Sequence, residues 1–178
     1  FNPMPNPKLA AEMPEAYTNM GLTAENLAAL YEIERETQET FAVESHLKAA
    51  NTDFTDVIIP ITTADGVVSS DGCIRPNSNV SSLARLGPAF KADGSVTAGT
   101  SSPLTDGAAF VLVCSEKFAL EQGLKILASI ESTAVSGCSP EIMGIGPVAA
   151  SQKALARAGV RLEDIDVIEL NEAFSAQS

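Results

Sequence analysis

Near its C-terminal end the chain reads Val167-Ile168-Glu169-Leu170-Asn171-Glu172-Ala173-Phe174, an apolar run followed by an amide side chain and the expected start of a helix. The run predicts a strand, so Asn171 falls at a strand-to-helix junction. In open α/β sheets such junctions gather oriented N–H dipoles around bound ligands, and an Asn fixed there can hold a water or donate to a developing oxyanion. An amide suits the task because it is neutral and both donates and accepts. The same residue can equally cap a helix that begins at Glu172. A second segment, residues 94–109, is built almost wholly of Gly, Ser, Thr and Ala around Pro103-Leu104 and Asp106. By itself that composition is also that of a plain loop.

Other side chains that invite a catalytic role do not carry one. His46, the sole histidine, stands beside Ser45 in a helical stretch. Adjacent helical residues diverge by about 100°, so the two cannot act as a nucleophile and base, and His46 reads as a packing or surface residue. Cys73, Cys114 and Cys138 are odd in number, lack Cys-x-x-Cys spacing and have no histidine cluster, which argues against a disulfide framework or a metal site. Cys114 is expected inside a buried strand, Cys73 after a turn and Cys138 in a Gly/Ser loop.

The elements that must position Asn171 follow from composition and pattern. At 178 residues, with 45% apolar and 5% aromatic content, the chain suits an Ala/Val/Leu/Ile-rich α/β protein. A net charge of −12 and a pI near 4.4 disfavour nucleic-acid backbones and anionic membrane surfaces, so an anionic ligand must be met by local cations. No stretch approaches a membrane span and no signal-peptide pattern opens the chain; with its cysteine usage, it reads as cytoplasmic. It starts at Phe1 without a Met and stops at Ser178, a few residues into the helix expected after Asn171, and therefore reads as an internal fragment.

Residues 1–22 are rich in Pro, Asn and Met and predict an irregular connection up to Gly21. Thr23 offers an N-cap for a helix with Leu27, Leu30 and Tyr31 on one face. Phe41, Ala42, Ser45, His46 and Ala49 mark the apolar face of a second helix. Residues 57–61 are β-branched, and Asp65-Gly66 before Val67-Val68 predicts a small hairpin. Leu83, Leu86 and Phe90 suggest a short helix. The apolar run 108–113 predicts a strand buried on both faces, Ser115 caps a helix closing at Gly123, and Ile126, Ala128 and Ile130 alternate as a strand. Pro147 suits the first turn of a helix closing at Gly159, and 167–170 is the next strand. Alternating strands and helices imply a layered α/β architecture.

Several blocks in order resemble the thiolase family: Met20-Gly21-Leu22-Thr23-Ala24-Glu25-Asn26, Ile74-Arg75-Pro76, Met143-Gly144-Ile145-Gly146-Pro147 and Asn171-Glu172-Ala173-Phe174, together with the 94–109 segment. The stretch from Val135-Ser136-Gly137-Cys138 to Gly146-Pro147 is similar to bacterial 3-ketoacyl-CoA thiolases, the β subunits of the fatty-acid oxidation complex. The resemblance implies a layered α/β/α/β/α fold, present in part and with most of its loop domain. It assigns residues 1–102 to a CoA-covering loop domain, 103–122 to the end of the N-terminal core half, and 123–178 to the first part of the C-terminal core half.

The chemistry implied is acyl transfer in fatty-acid β-oxidation: a 3-ketoacyl-CoA and CoA give acetyl-CoA and an acyl-CoA shortened by two carbons. CoA is then a co-substrate and no cofactor is permanently bound. The hard step forms an enolate, whose oxygen needs preorganised donors; removing one donor typically costs about 10² to 10³ in rate. Asn171 matches the family residue that holds an oxyanion-hole water. Arg75 matches a basic residue near the adenine and phosphate end of CoA, although it also reads as a solvated loop arginine. Ala98 and Ser102 match positions where backbone and hydroxyl meet the pantetheine arm. Met143 and Phe174 match apolar positions of the acyl and thioester pocket, while on pattern alone both would be core. The family's two reactive cysteines and its Gly-His-Pro histidine match nothing in this chain, so the isolated segment is expected to be inactive. The likeness further implies a homodimer, with a multifunctional α subunit as a possible companion. A biosynthetic acetoacetyl-CoA thiolase and a non-catalytic acyl-CoA or lipid-binding relative are the alternatives. A ketoacyl synthase fits less well, since those usually have His where this chain has Asn171.

Overall fold

Asn6 opens the first element. Its Oδ1 accepts from the N–H groups of Lys8 (3.0 Å) and Leu9 (3.2 Å), and Pro7 presets φ, so helix α1 runs over Pro7–Glu12. In the computed structural model, which describes residues 4–178, a 3₁₀ turn over Pro14–Tyr17 follows, and the Tyr17 hydroxyl accepts from the Asn6 N–H at 2.8 Å. The irregular connection expected over 1–22 is corrected accordingly, residues 1–3 of it lying outside the described residues. Asn6-Pro7 and Pro14 are local helix-start signals that outweigh the lack of apolar period.

Helix α2, Met20–Leu30, starts one turn earlier than Thr23 would place it, because Asn19 Oδ1 accepts from the Gly21 N–H at 2.8 Å. Thr23 is buried inside the helix and its hydroxyl donates to the Met20 carbonyl at 2.7 Å. The buried face holds Gly21, Ala24, Glu25, Leu27 and Ala28, whereas Leu30 and Tyr31, expected beside Leu27, are exposed. The helix ends there: Glu32 takes a left-handed φ of 54°, and the Ile33 N–H folds back onto the Ala28 carbonyl at 2.8 Å. Ile33, rather than Tyr31, then packs on the core.

Helix α3, Arg35–Ala50, buries Gln38, Glu39 and Ala42, with Ser45, His46 and Ala49 half-buried along the expected face. Its first residue pins the next helix: Arg35 Nε meets Glu39 at 2.7 Å, and Nη2 donates to the carbonyls of Leu86 (2.6 Å) and Leu83 (3.2 Å). Strands β1 (Ile61–Thr63) and β2 (Gly66–Val68) form the expected antiparallel hairpin, in register Ile61↔Val68, with Gly66 at φ 127°. Of the β-branched run 57–61 only Ile61 enters a strand. Helix α4, Val80–Leu83, is capped by Asn79 and ends at Leu83, so Leu86 and Phe90 lie beyond it. Helix α5 (Glu116–Glu121), capped by Ser115, and helix α6 (Gly146–Ala158), closed by Gly159 at φ 68°, match their capping signals.

The chain divides into two compact units: Phe1–Pro103 with Ser139–Gly144 and Leu170–Ser178, and Leu104–Cys138 with Ile145–Glu169. The first centres on Ala24, Ala28, Val96 and Ala176, with Ile33, Phe90 and Phe174 packed against them. In the second, Ser132 donates to the Ala154 carbonyl (2.7 Å) and Lys153 to that of Val135 (3.1 Å), strapping this stretch to α6.

The strands expected at 108–113, 126–130 and 167–170 are corrected: among the described residues β1–β2 is the only ladder. Phe110 is 94% and Leu127 86% exposed, and Cys114 is exposed rather than buried in a strand. A strand exists by sharing its N–H and C=O groups with a neighbour, and these runs do not pair with one another. The result is a partial α/β fold of helices and one small sheet, and no described helix is long and apolar enough to cross a membrane.

Candidate functional site

The Ser/Thr-rich loop is held from within. Thr97 and Thr100 form a reciprocal cap around the 3₁₀ turn Ala98–Thr100: Thr97 Oγ1 accepts from the Gly99 N–H (3.2 Å) and Thr100 Oγ1 from the Thr97 N–H (3.0 Å). Ser101 Oγ donates to the Thr97 carbonyl at 2.7 Å. Both threonines are buried, so their hydroxyls serve the loop and not a ligand. Gly99 is required by close approach, since a Cβ there would stand 2.5 Å from Leu83 Cδ2 and 2.8 Å from Leu86 Cδ1.

So shaped, the loop lies alongside the C-terminal segment. The Ser102 N–H donates to the Ala173 carbonyl and the Ser175 N–H to the Thr100 carbonyl, each at 2.9 Å, and Ser101 and Phe174 form an antiparallel bridge. Ser102 and Phe174, predicted from distant parts of the sequence, are thereby brought onto adjoining segments, with Ala98 four residues ahead of Ser102 in the same loop. Ala98 and Ser102 are exposed, and the Ser102 hydroxyl has no hydrogen bond among the described residues. Phe174 is half-buried, with its ring edge-to-face on Phe90 at 5.7 Å and 86°.

Asn171 sits at the entry to this segment, exposed, its carbonyl accepting from the Ala173 N–H at 3.0 Å. No helix begins at Glu172. Residues 175–177 form a turn instead, closed by the Gln177 and Ser178 N–H groups on the Phe174 carbonyl at 3.0 and 3.2 Å. Asn171 is therefore not a helix cap, and no intramolecular hydrogen bond holds its amide side chain among the described residues.

Met143 arrives through its neighbours. Asn26 Nδ2 donates to the Glu141 carbonyl at 2.9 Å, and a Cβ on Gly144 would lie 2.7 Å from Gln177 Cγ and 2.8 Å from Leu27 Cδ1. The turn carrying Met143 is thus seated between α2 and the 176–178 turn, with Met143 itself exposed.

Arg75 is not in this cluster. It is exposed, its N–H donates to His46 Nδ1 at 3.3 Å, and its guanidinium makes no hydrogen bond or ion pair among the described residues. Its neighbours Ile74 and Pro76 line a cleft of about 350 Å³, with Ala49, Phe54, Ile58 and Ser69 on the other walls. At the rim Thr55 donates its N–H (2.9 Å) and hydroxyl (2.8 Å) to Asp53 Oδ1, holding that carboxyl below the usual carboxylate range. Helix α3 links the two places: His46 holds Arg75, while Ser45 Oγ donates to Glu172 Oε2 at 2.5 Å, beside Asn171.

Sequence reasoning missed Glu25, Phe90 and Ser45. Glu25 had a signal, a charged residue at i+4 on the stripe Gly21, Ala24, Ala28, where burial demands partners. Ser45 had none, because its partner lies 127 residues away.

The thiolase N-terminal domain pattern matches residues 8–117 and the thiolase C-terminal domain pattern residues 124–178. A 3-ketoacyl-CoA thiolase of Pseudoalteromonas translucida is 50% identical over 183 residues, covering 97% of this chain and 47% of the relative. One from Serratia proteamaculans gives the same identity and coverage, 50%, 97% and 47%. The chain thus spans about half the length of the curated relatives it matches. Among solved structures, the dimeric peroxisomal thiolase of Saccharomyces cerevisiae superposes with a TM-score of 0.92 at 38% identity, over 99% of this chain and 48% of that one. The Bacillus anthracis acetyl-CoA acetyltransferase gives 0.81 at 46% identity, over 89% and 42%.

Proposed function

Since the chain belongs to the thiolase family, we propose that the whole protein is a 3-ketoacyl-CoA thiolase, an acyltransferase that cleaves a 3-ketoacyl-CoA with CoA into acetyl-CoA and a shortened acyl-CoA. The fold is that of thiolases, in part. The observation that supports the activity is the lacing of residues 100–102 to 173–175, two segments that carry the exposed Ser102 and the half-buried Phe174 and adjoin Asn171, whose amide makes no intramolecular hydrogen bond among the described residues. Such a surface suits a slender thioester arm lying along main chain, with an amide available to a water beside the thioester oxygen.

In this reading Asn171 orients the oxyanion-hole water, Ala98 and Ser102 receive the pantetheine arm, and Met143 and Phe174 line the acyl and thioester pocket. Arg75 meets the adenine and phosphate end of CoA from its separate position; an acidic chain needs such a local cation for a phosphorylated ligand. CoA enters as co-substrate, and the nucleophilic cysteine, the second cysteine and the catalytic histidine belong to other parts of the whole protein. Residues 1–102 serve as the loop domain, 103–122 as the end of the N-terminal core half and 123–178 as the start of the C-terminal half. The dimeric yeast neighbour supports a homodimer; with bacterial relatives, the reading takes the whole protein as a cytoplasmic enzyme and extends to an α subunit of the oxidation complex as its companion.

The test is thiolysis by the whole protein of 3-ketoacyl-CoA substrates of graded chain length, with products separated by mass. CoA-dependent release of acetyl-CoA from medium and long substrates is expected. Cleavage confined to acetoacetyl-CoA would assign the protein to the biosynthetic branch, and binding without cleavage would make it a non-catalytic relative.

A further inference from the structure

Glu25 is 6% exposed, on the face of α2 turned to the core, and its carboxylate is spent on one short piece of backbone. Oε2 accepts from the Ser95 N–H at 2.9 Å and from Ser95 Oγ at 3.4 Å, and Oε1 accepts from the Val96 N–H at 2.9 Å. Two consecutive amides on the two oxygens of one carboxylate fix both the position and the orientation of a peptide plane, and charge-assisted bonds of this kind are the stronger class. The grip is reinforced from α3, where Gln38 Nε2 donates to Ser95 Oγ at 2.9 Å. Gly94 completes the fit, since a Cβ there would lie 2.5 Å from the Glu25 Cδ and nearer still to Oε1.

The grip falls directly before Thr97, where the capped turn starts that carries Ala98 and leads to Ser102. Val96 is fully buried and the turn hangs from it, so the direction in which residues 97–102 leave the core is set at the peptides Glu25 holds. We infer that Glu25 is a positioning residue for the CoA-binding loop: it touches no ligand, and through Ser95 and Val96 it aims the segment that presents Ala98 and Ser102. This inference rests on the reading of that loop as a pantetheine site.

The test uses the whole protein with two variants that break the grip from opposite sides. Glu25→Gln keeps the shape but loses the charge and one acceptor; Gly94→Ala keeps Glu25 but displaces its carboxylate. Each is expected to raise the KM for CoA about tenfold while leaving kcat at saturating CoA within about twofold, as loss of binding-loop alignment should. The double variant should be no worse than the poorer single one. Amide hydrogen exchange supplies a readout independent of turnover: both variants should speed exchange through 97–102 and leave α3 unchanged. An unaltered KM with kcat reduced in proportion to folded protein would overturn the inference, as would faster exchange spread evenly over the whole unit. Should the wild type neither bind nor cleave acyl-CoA, the thiolase reading falls, and the exchange pattern still decides whether Glu25 aims the loop.

Discussion

Phe90 and Phe174, far apart in sequence, meet edge to face with ring centroids 5.7 Å apart and planes at 86°. The contact joins the stretch entering the 94–102 loop to the segment following Asn171, so core and candidate site share a ring. Gly21 backs the same ring: a Cβ there would run into Phe90. Gly21→Ala in the whole protein is therefore expected to lower stability by about 1–3 kcal/mol, the usual range for overpacking. Urea unfolding measures it, and an unchanged midpoint would mean that Phe90 is not held as described.

The Ser45–Glu172 bond ties α3 to the residue beside Asn171. A double-mutant cycle of Ser45→Ala and Glu172→Ala should give a coupling of about 0.5–1.5 kcal/mol, in the range of an ordinary net hydrogen bond. Additive effects would show that the bond does not persist in solution.

Exposed apolar runs govern the behaviour of the 178 residues alone. Phe110, Val111 and Leu127 are 94%, 88% and 86% exposed, an arrangement that promotes association. On its own the chain should bind a hydrophobic dye and lack a sharp thermal transition, and it should not cleave 3-ketoacyl-CoA. A cooperative melt from a monomer would contradict the first expectation, and measurable thiolysis the last.

Asp53 gives a pH signature. Its carboxyl is held below the usual range, first by the Thr55 N–H and then by the Thr55 hydroxyl. A depressed folded value means that the turn's contribution is present above the unfolded pKa of about 4 and is lost as pH falls through the lower folded one. In an NMR titration the Thr55 amide should keep its shift at pH 5 and move only below the normal carboxylate range. Movement centred at the ordinary value would show the bonds to be absent.

What the sequence disclosed depended on how local the cause was. Ser115 with Gly123, Pro147 with Gly159 and the Asp65-Gly66 turn act within a few residues, and α5, α6 and the hairpin formed where they pointed. Asn6-Pro7 carries the same kind of signal, and α1 forms there although the polar, aperiodic surroundings predict no helix. The runs 108–113, 126–130 and 167–170 have the composition of strands, but a strand also needs a neighbour, which composition cannot supply. For the site, residue types marked Asn171 and the small-residue loop. Their approach through Ala173 and Ser175, and the buried carboxylate of Glu25 beneath, depend on contacts tens of residues apart that no spacing rule encodes.

The central claim is that the surface formed by 98–102 and 171–174 serves thioester cleavage, with Asn171 preparing the oxyanion site. The most direct measurement is kcat for CoA-dependent cleavage of a 3-ketoacyl-CoA by the whole protein, with and without Asn171→Ala. A fall of about 10²- to 10³-fold in kcat, with the KM for CoA little changed, is predicted from the loss of one oxyanion-stabilising donor. An unchanged kcat in a wild-type-like fold would contradict it.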